Sequence, residues 1–195
     1  NSSIVGFGAN HFGQISIPTG LGAITGVAAG AWGSNNLALR SDGTVVAWGG
    51  NNGGETPVPS GLNSVVQVSA GGSYGLALKA DGTVVTWGSS QCQCAVPSGL
   101  QNVVAVSGGG GQNLALKSDG SVSAWGENNW GQWIVPAGLT NVVAIAAGGY
   151  HNLALKADST VVAWGRNEHG RATVPTGLTN VVAIAAGGSQ SHALK

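Results

Sequence analysis

Charge is scarce in this chain. Lysine, arginine, aspartate and glutamate make up only 7% of its 195 residues, against about 25% in an ordinary soluble domain. The seven basic and seven acidic side chains cancel. Nucleic acid is therefore not an expected partner, because phosphate binding needs a concentrated positive surface. No run of 18 apolar residues occurs, so no membrane insertion is expected. Cysteine is nearly absent. Cys92 and Cys94 are too few to staple a framework, and a Cys-x-Cys pair lacks the ligand count of a structural zinc site. A local disulfide or free thiols are expected there. The first residues, NSSIVGFG, contain no methionine, no basic region and no apolar core, and read as a mature or trimmed end rather than a signal peptide. What is abundant is glycine, at 35 residues, among many small polar ones. This composition suits a secreted or cell-surface protein. Hydrophobic residues still reach 43%, enough for one domain with a sizeable core.

That domain is written in repeats. The aromatic-glycine pairs begin at Phe7, Trp48, Trp87, Trp125 and Trp164, in steps of 41, 39, 38 and 39 residues. The prolines Pro18, Pro59, Pro97, Pro136 and Pro175 keep nearly the same spacing, and so does the tetrad LALR, LALK or HALK. Each unit runs through a Val-Val-Ala-Trp-Gly run, a polar loop, Val-Pro, Gly-Leu, a VVAIAAGG-like run, a short loop, LALK and a turn at aspartate. The apolar runs are short, rich in Val, Ile, Leu and Trp, and bounded by turn residues, which is the signal for strands. Asp42, Asp81, Asp119 and Asp158 sit between two such runs, where a tight two-residue hairpin turn is expected. Units of about 40 residues with several short strands each are the signature of a β-propeller. The expectation is one all-β domain over residues 1–195, a five-bladed β-propeller. Its N-terminal strand, aligned with DGTVVAWG, would complete the last blade and leave no open edge.

The repeated AWGxNxxGQxxVP pattern, followed by GLTNVVAIAAGG and NLALK, resembles the repeat of the regulator of chromosome condensation family. Within that family it is most similar to the secreted bacterial propellers that inhibit β-lactamases. The resemblance spans the whole chain. It implies a propeller, usually of seven blades where this sequence has five units, and binding of proteins through loops on one face. It does not carry over chromatin binding or nucleotide exchange, because no basic patch or long insertion is present.

Subtracting the repeat leaves what could be specific. Arg40, Lys79, Lys117, Lys156 and Lys195 share one repeat position, and all four aspartates are turn residues. The recurring Trp is expected in the core between blades. Variation concentrates in two loops. The one after Trp-Gly carries Phe12, Trp130, Trp133 and His169, together with Glu127, Glu168, Arg166 and Arg171, which read as unpaired charges. The one before LALK carries Trp32, Tyr74, Tyr150 and His151. A constant framework with divergent loops suits a binding protein, and large aromatics on loops suit an interface.

No catalytic constellation is evident. The four histidines lie in different units, and Glu55, Glu127 and Glu168 are dispersed, whereas glycoside chemistry needs two carboxylates within about 5–10 Å. The glycine runs lack the lysine and helix of a phosphate loop. The expected function is therefore a non-catalytic propeller that recognises a protein partner, with no cofactor and no metal. Two alternatives stand beside it. One is a multivalent lectin using the recurrent Asn10, Asn51, Asn128 and Asn167 for glycans, although turn stabilisation is the more expected role of these residues. The other is a structural or engineered repeat scaffold, suggested by TNVVAIAAGG occurring twice.

Overall fold

The short apolar runs fold as strands, and the turn residues between them fold as hairpins. The computed structural model describes residues 4–30, 35–89 and 95–195. The first sheet contains β1 (Ile24–Ala29), β2 (Asn35–Arg40) and β3 (Val45–Gly49). The second contains β4 (Val65–Ala70), β5 (Tyr74–Lys79) and β6 (Val84–Gly88), and the third β7 (Val103–Gly108), β8 (Gln112–Lys117) and β9 (Val122–Gly126). β10 (Val142–Ala147), β11 (His151–Lys156) and β12 (Val161–Gly165) form the fourth, and β13 (Ala183–Ala186) and β14 (Ser191–Leu194) the fifth. Every sheet is an antiparallel meander in chain order. The result is five propeller blades, four of three strands and a last one of two.

The aspartate hairpin is one residue longer than the sequence suggests. Gly43 N donates to Arg40 O, and Arg40 N donates to Thr44 O. The loop is thus Ser41-Asp42-Gly43, a turn closed by a glycine at φ 79°, which is the left-handed position of a three-residue hairpin. The Asp42 carboxylate accepts both the backbone N–H and the hydroxyl of Thr44, at 2.9 and 2.6 Å. Asp81 with Thr83, Asp119 with Ser121 and Asp158 with Thr160 repeat this. In Asp81 and Asp158 the Thr hydroxyl, helped by the neighbouring lysine, holds the carboxyl down at about 2. Three of these turns place glycine in the left-handed position, and the fourth places Ser159 there at φ 64°.

The core lies between sheets, not within them. Leu37 and Leu39 of the first blade pack with Val65, Val68, Ala77 and Trp87 of the second. Leu114 and Leu116 of the third pack with Val142, Ala154 and Trp164 of the fourth. Each buried Leu contributes roughly 1.5–3 kcal/mol by leaving water. Polar contacts fix the register of each packing. Trp48 Nε1 donates to Gln14 O at 2.9 Å, Trp87 to Glu55 O at 2.8 Å and Trp164 to Gln132 O at 2.9 Å. The acceptor in every case is the loop of the preceding unit. Asn36 Nδ2 and Asn152 Nδ2 add a second donor to the same carbonyls, those of Gln14 and Gln132.

A second set of bonds joins the blades through glycine. Gly72 N donates to Gly109 O, Gly110 N to Gly148 O and Gly149 O, and Gly149 N to Gly187 O. A Cβ on Gly72 would lie 2.3 Å from Gly110 O, and one on Gly110 would lie 2.3 Å from Gly149 O. Only glycine allows the two backbones so close.

The expected ring closure is not seen. Residues 4–8 form no strand, and β14 pairs only with β13. Val5 and Phe7 are 79% and 92% exposed. Two differences in the sequence account for the weaker pairing signal of this segment. Gly6 takes the place of the usual alanine and packs back against Ile15. Phe7 takes the place of Trp and has no N–H for the inter-blade carbonyl. β14 is exposed along its length, whereas β11, of nearly the same sequence, is buried. The blades therefore form an open arc.

Two stability measurements check this account. Trp164→Phe should cost about 1–2 kcal/mol in urea unfolding through the lost indole hydrogen bond, and Trp164→Ala about 3–5 kcal/mol through the cavity. Ser159→Gly should raise stability by about 0.5–1 kcal/mol, because it relieves a left-handed backbone that the other three turns give to glycine.

Candidate protein-binding surface

Strand register places both variable loops on one face. Gly126 pairs with Gln112 and Gly165 with His151. The loop leaving the third strand therefore starts beside the loop entering the second. The aspartate turns and the Pro-x-Gly-Leu segments lie at the other end of each sheet.

The loop after Trp-Gly has its own internal support. The side-chain carbonyl of its asparagine accepts the N–H of the residue five further on: Asn10 from Ile15, Asn51 from Thr56, Asn128 from Trp133 and Asn167 from Ala172, at 2.9–3.2 Å. The seventh residue after the aromatic folds back as well. Gln14 Oε1 accepts Phe12 N, Glu55 Oε2 accepts Gly53 N, and Gln132 Oε1 accepts Trp130 N, at 2.7–2.9 Å. The recurrent asparagines are thus turn residues, and their carbonyls are committed within the loop.

With its backbone held, each loop meets the next blade in the same way. Gly53 lies against Ser89, since a Cβ on Gly53 would come 2.8 Å from Ser89 Cβ. At the equivalent place further along the arc, Trp130 meets Arg166. The Arg166 guanidinium carbon sits 4.3 Å from the Trp130 ring centroid and 5.6 Å from that of Tyr150. Glu168 forms an ion pair with the same guanidinium, and this hydrogen bond draws the Glu168 carboxyl below its ordinary value. In the third blade Glu127 covers Gly111, which occupies the position of Tyr150. One composite place therefore recurs around the arc, built from three positions on two neighbouring units. Among the described residues, only beside the fourth blade are all three filled by large side chains. Trp130 is 45% exposed and Trp133 48%, and the exposed Ile134 extends the apolar surface. A cation held on aromatic faces contributes about 0.5–1 kcal/mol at such a site.

Several sequence-based assignments are corrected. Tyr74 is fully buried, and its hydroxyl donates to Gln112 O at 2.7 Å. Burial pushes its pKa well above the ordinary phenol. His151 is fully buried with Nε2 2.9 Å from Ser191 Oγ. Ser191 spends its own proton on Arg171 O at 2.6 Å, so His151 Nε2 carries the hydrogen and donates. These two residues belong to a staircase. Asn35 Nδ2 donates to Tyr74 O, Tyr74 to Gln112 O, and Gln112 Nε2 to the carbonyls of Gly148 and His151. The repeat position is always polar because it must reach the next blade. Arg171 is buried and donates through Nε to Glu168 O at 3.0 Å, since a guanidinium cannot accept as Gln132 does. Arg166 and Glu168 pair with each other and are not unpaired charges. Phe12 is exposed on the loop before the first blade, at the other end of the arc from Trp130. His169 is exposed, with a left-handed backbone at φ 65°. Trp32, Cys92 and Cys94 lie outside the described residues.

Comparison with known proteins agrees with the fold. The family described as the regulator of chromosome condensation (RCC1) repeat matches residues 65–94 and 142–171, so the chain carries RCC1-like repeats. No curated protein matches it in sequence. Among solved structures it is similar to yeast RCC1 (Prp20) in complex with Kap60, at 27% identity and a TM-score of 0.72 over 88% of this chain and 53% of that one. Prp20p from Saccharomyces cerevisiae, in a structure described with its binding to Gsp1p and histones, matches at 21% identity and a TM-score of 0.69, over 87% of this chain and 55% of that one. The ectodomain of the receptor kinase CR4 from Physcomitrella patens matches at 24% identity and a TM-score of 0.71, over 92% and 49%. The chain spans about half the length of these structures.

Burial of His151, helped by the charge of Arg171, pushes its pKa below the ordinary histidine value. The unfolded chain then binds a proton first, at about 6.5, so stability should fall as pH drops below that value. His151→Gln, which copies Gln112 at the same repeat position, should flatten the loss in melting temperature between about pH 7 and 5.5.

Proposed function

We propose that this chain is a non-catalytic propeller that binds a protein partner through the loop face around Trp130, Arg166 and Tyr150, with Trp133 beside them. The observation that carries this reading is the half-exposed pair Trp130 and Trp133 on a loop whose backbone is pinned by Asn128 and Gln132. Preorganised aromatics lose little entropy on docking, and Trp, Tyr and Arg are the residues that dominate interface energies. Their surroundings are nearly free of net charge, since Arg166 is neutralised by Glu168. The partner surface they suit is accordingly apolar with a polar rim.

The similarity to yeast RCC1, a protein with binding properties towards Gsp1p and histones, supports recognition of proteins as the class of function. It does not carry those partners across. Composition favours an extracellular setting, and the motif likeness to secreted inhibitors makes β-lactamases suitable first probes. The lectin alternative draws less support from the recurrent asparagines, because each side-chain carbonyl accepts a hydrogen bond within its own loop.

The test is surface plasmon resonance against purified β-lactamases and a displayed library of folded domains, with a glycan array in parallel. Selected proteins should bind the wild type and lose at least tenfold in affinity, about 1.4 kcal/mol, to the Trp130→Ala, Trp133→Ala double variant. The melting temperature of that variant should fall by no more than about 4 °C, the loss of the Arg166–Trp130 contact. Protein binding that survives the double substitution rejects this surface. Saccharide selectivity with no protein ligand rejects the reading.

A further inference from the structure

The basic residue before each aspartate turn has a fixed use in three blades. Arg40 donates through Nε to Leu21 O at 2.9 Å. Lys79 Nζ meets Asp81 Oδ2 at 3.2 Å, and Lys156 Nζ meets Asp158 Oδ2 at 2.9 Å. Lys117 and Asp119 hold the same positions in the third blade, yet among the described residues no ion pair joins them. Asp119 Oδ1 accepts the N–H and the hydroxyl of Ser121. That hydroxyl, helped by the N–H, holds the Asp119 carboxyl below its ordinary value. Asp119 is therefore a carboxylate whose Oδ2 is left over, beside an ammonium group that is also left over.

Both residues line a cleft of about 390 Å³ at the end of the third blade, together with Pro97, Leu100, Asn102 and Ser123. This volume is that of a small-molecule site, about 300–1,000 Å³. A second departure from the repeat coincides with the first. Ser123 stands where the other third strands have Val46, Val85 and Val162, each opposite an alanine of the central strand. Val85 and Val162 pack against the cores between blades. Ser123 gives up that packing, and among the described residues its hydroxyl has no partner. The third blade thus exchanges an apolar contact and an ion pair for a cleft with three uncommitted polar groups.

The pairing of charges selects the ligand. An anion would meet Asp119 and a cation would meet Lys117. A hydroxyl accepts from Lys117 and donates to Asp119, so it leaves no charge unmatched. Two adjacent hydroxyls can bridge the pair and replace the bond that Lys79 and Lys156 make directly. The Ser123 hydroxyl and the Asn102 amide both donate and accept, and Pro97 and Leu100 offer an apolar wall to the C–H edge of a sugar ring. We propose that the third-blade cleft binds a neutral saccharide, with vicinal hydroxyls bridging Lys117 Nζ and Asp119 Oδ2 and a further hydroxyl on Ser123. This is one site, it uses none of the recurrent asparagines, and it lies at the aspartate-turn end of the blade, away from Trp130. It stands or falls apart from the protein-binding reading above.

NMR titration of the full, ¹⁵N-labelled chain tests this. The neutral probes are glucose, galactose, mannose, N-acetylglucosamine, maltose and cellobiose, with glucosamine and glucuronate as charged comparisons. At least one neutral sugar should shift the amides of residues 99–102 and 117–123 saturably. Ser123→Val restores the residue of the other blades, so it should keep or raise the melting temperature while weakening that sugar at least tenfold. Lys117→Gln should weaken it similarly, and Lys156→Gln, at the counterpart that is already paired, should not. The proposal is overturned if no neutral sugar moves these amides, or if the shifts are confined to the loop at residues 128–134. Affinity that survives Ser123→Val overturns it too. Tighter binding of glucosamine or glucuronate than of every neutral sugar overturns it in favour of a charged ligand.

Discussion

No blade of this protein can bury its own apolar surface. Three strands of five or six residues have two faces and almost no interior, so the core exists only where one blade leans on the next. The contact that sets this lean is the indole N–H of Trp48, Trp87 and Trp164 meeting a loop carbonyl of the preceding unit. It determines how far each sheet rotates, which leucines it covers, and where its loops emerge. The glycine pairs follow from the same constraint. Once the sheets are that close, their backbones hydrogen-bond directly, and any Cβ would collide with a carbonyl oxygen.

The binding face is a consequence of this arrangement. Three of the loops are braced by their own Asn and Gln or Glu, so the side chains they present can change without loosening the blade. What the face displays at each junction depends on one position from one unit and two from the next. Gly53 with Ser89 makes a flat junction, and Trp130 with Arg166 and Tyr150 makes a built one. Diversity is thus produced by pairing across units, which multiplies the surfaces a fixed scaffold can show.

Much of the fold is legible in the sequence because its signals are local. The strands follow from Val-Val-Ala-Trp-Gly and LALK, and the hairpins from Asp-Gly. The recurrent asparagines can be weighed as turn residues on the same local grounds. What is not legible is anything that depends on the offset between neighbouring blades. Tyr74 and His151 resemble loop aromatics in sequence, yet their side chains point into the next unit and find partners there. Their repeat position is filled by Asn35, Tyr74, Gln112, His151 and Gln190 in turn, all polar and all able to reach, and that regularity is the available clue. The pairing of Arg166 with Glu168 escapes a sequence reading because it depends on the path the loop takes into the tight turn at Glu168–Gly170. The seam escapes it for a related reason. Phase along the chain says that residues 4–8 match a third strand, but not through what angle the arc must turn to bring them home.

The staircase of polar side chains runs one way. Asn35 donates forward to the second blade, Tyr74 to the third and Gln112 to the fourth. Each blade therefore depends on its immediate neighbours and is indifferent to blades two units away. Such a molecule behaves as a one-dimensional array, in which the free energy is a sum of unit and junction contributions. Blades in the middle enjoy two junctions and those at the ends only one. Disorder should enter from the tips of the arc and advance blade by blade, so the unfolding of this protein has a direction in space as well as a midpoint in denaturant.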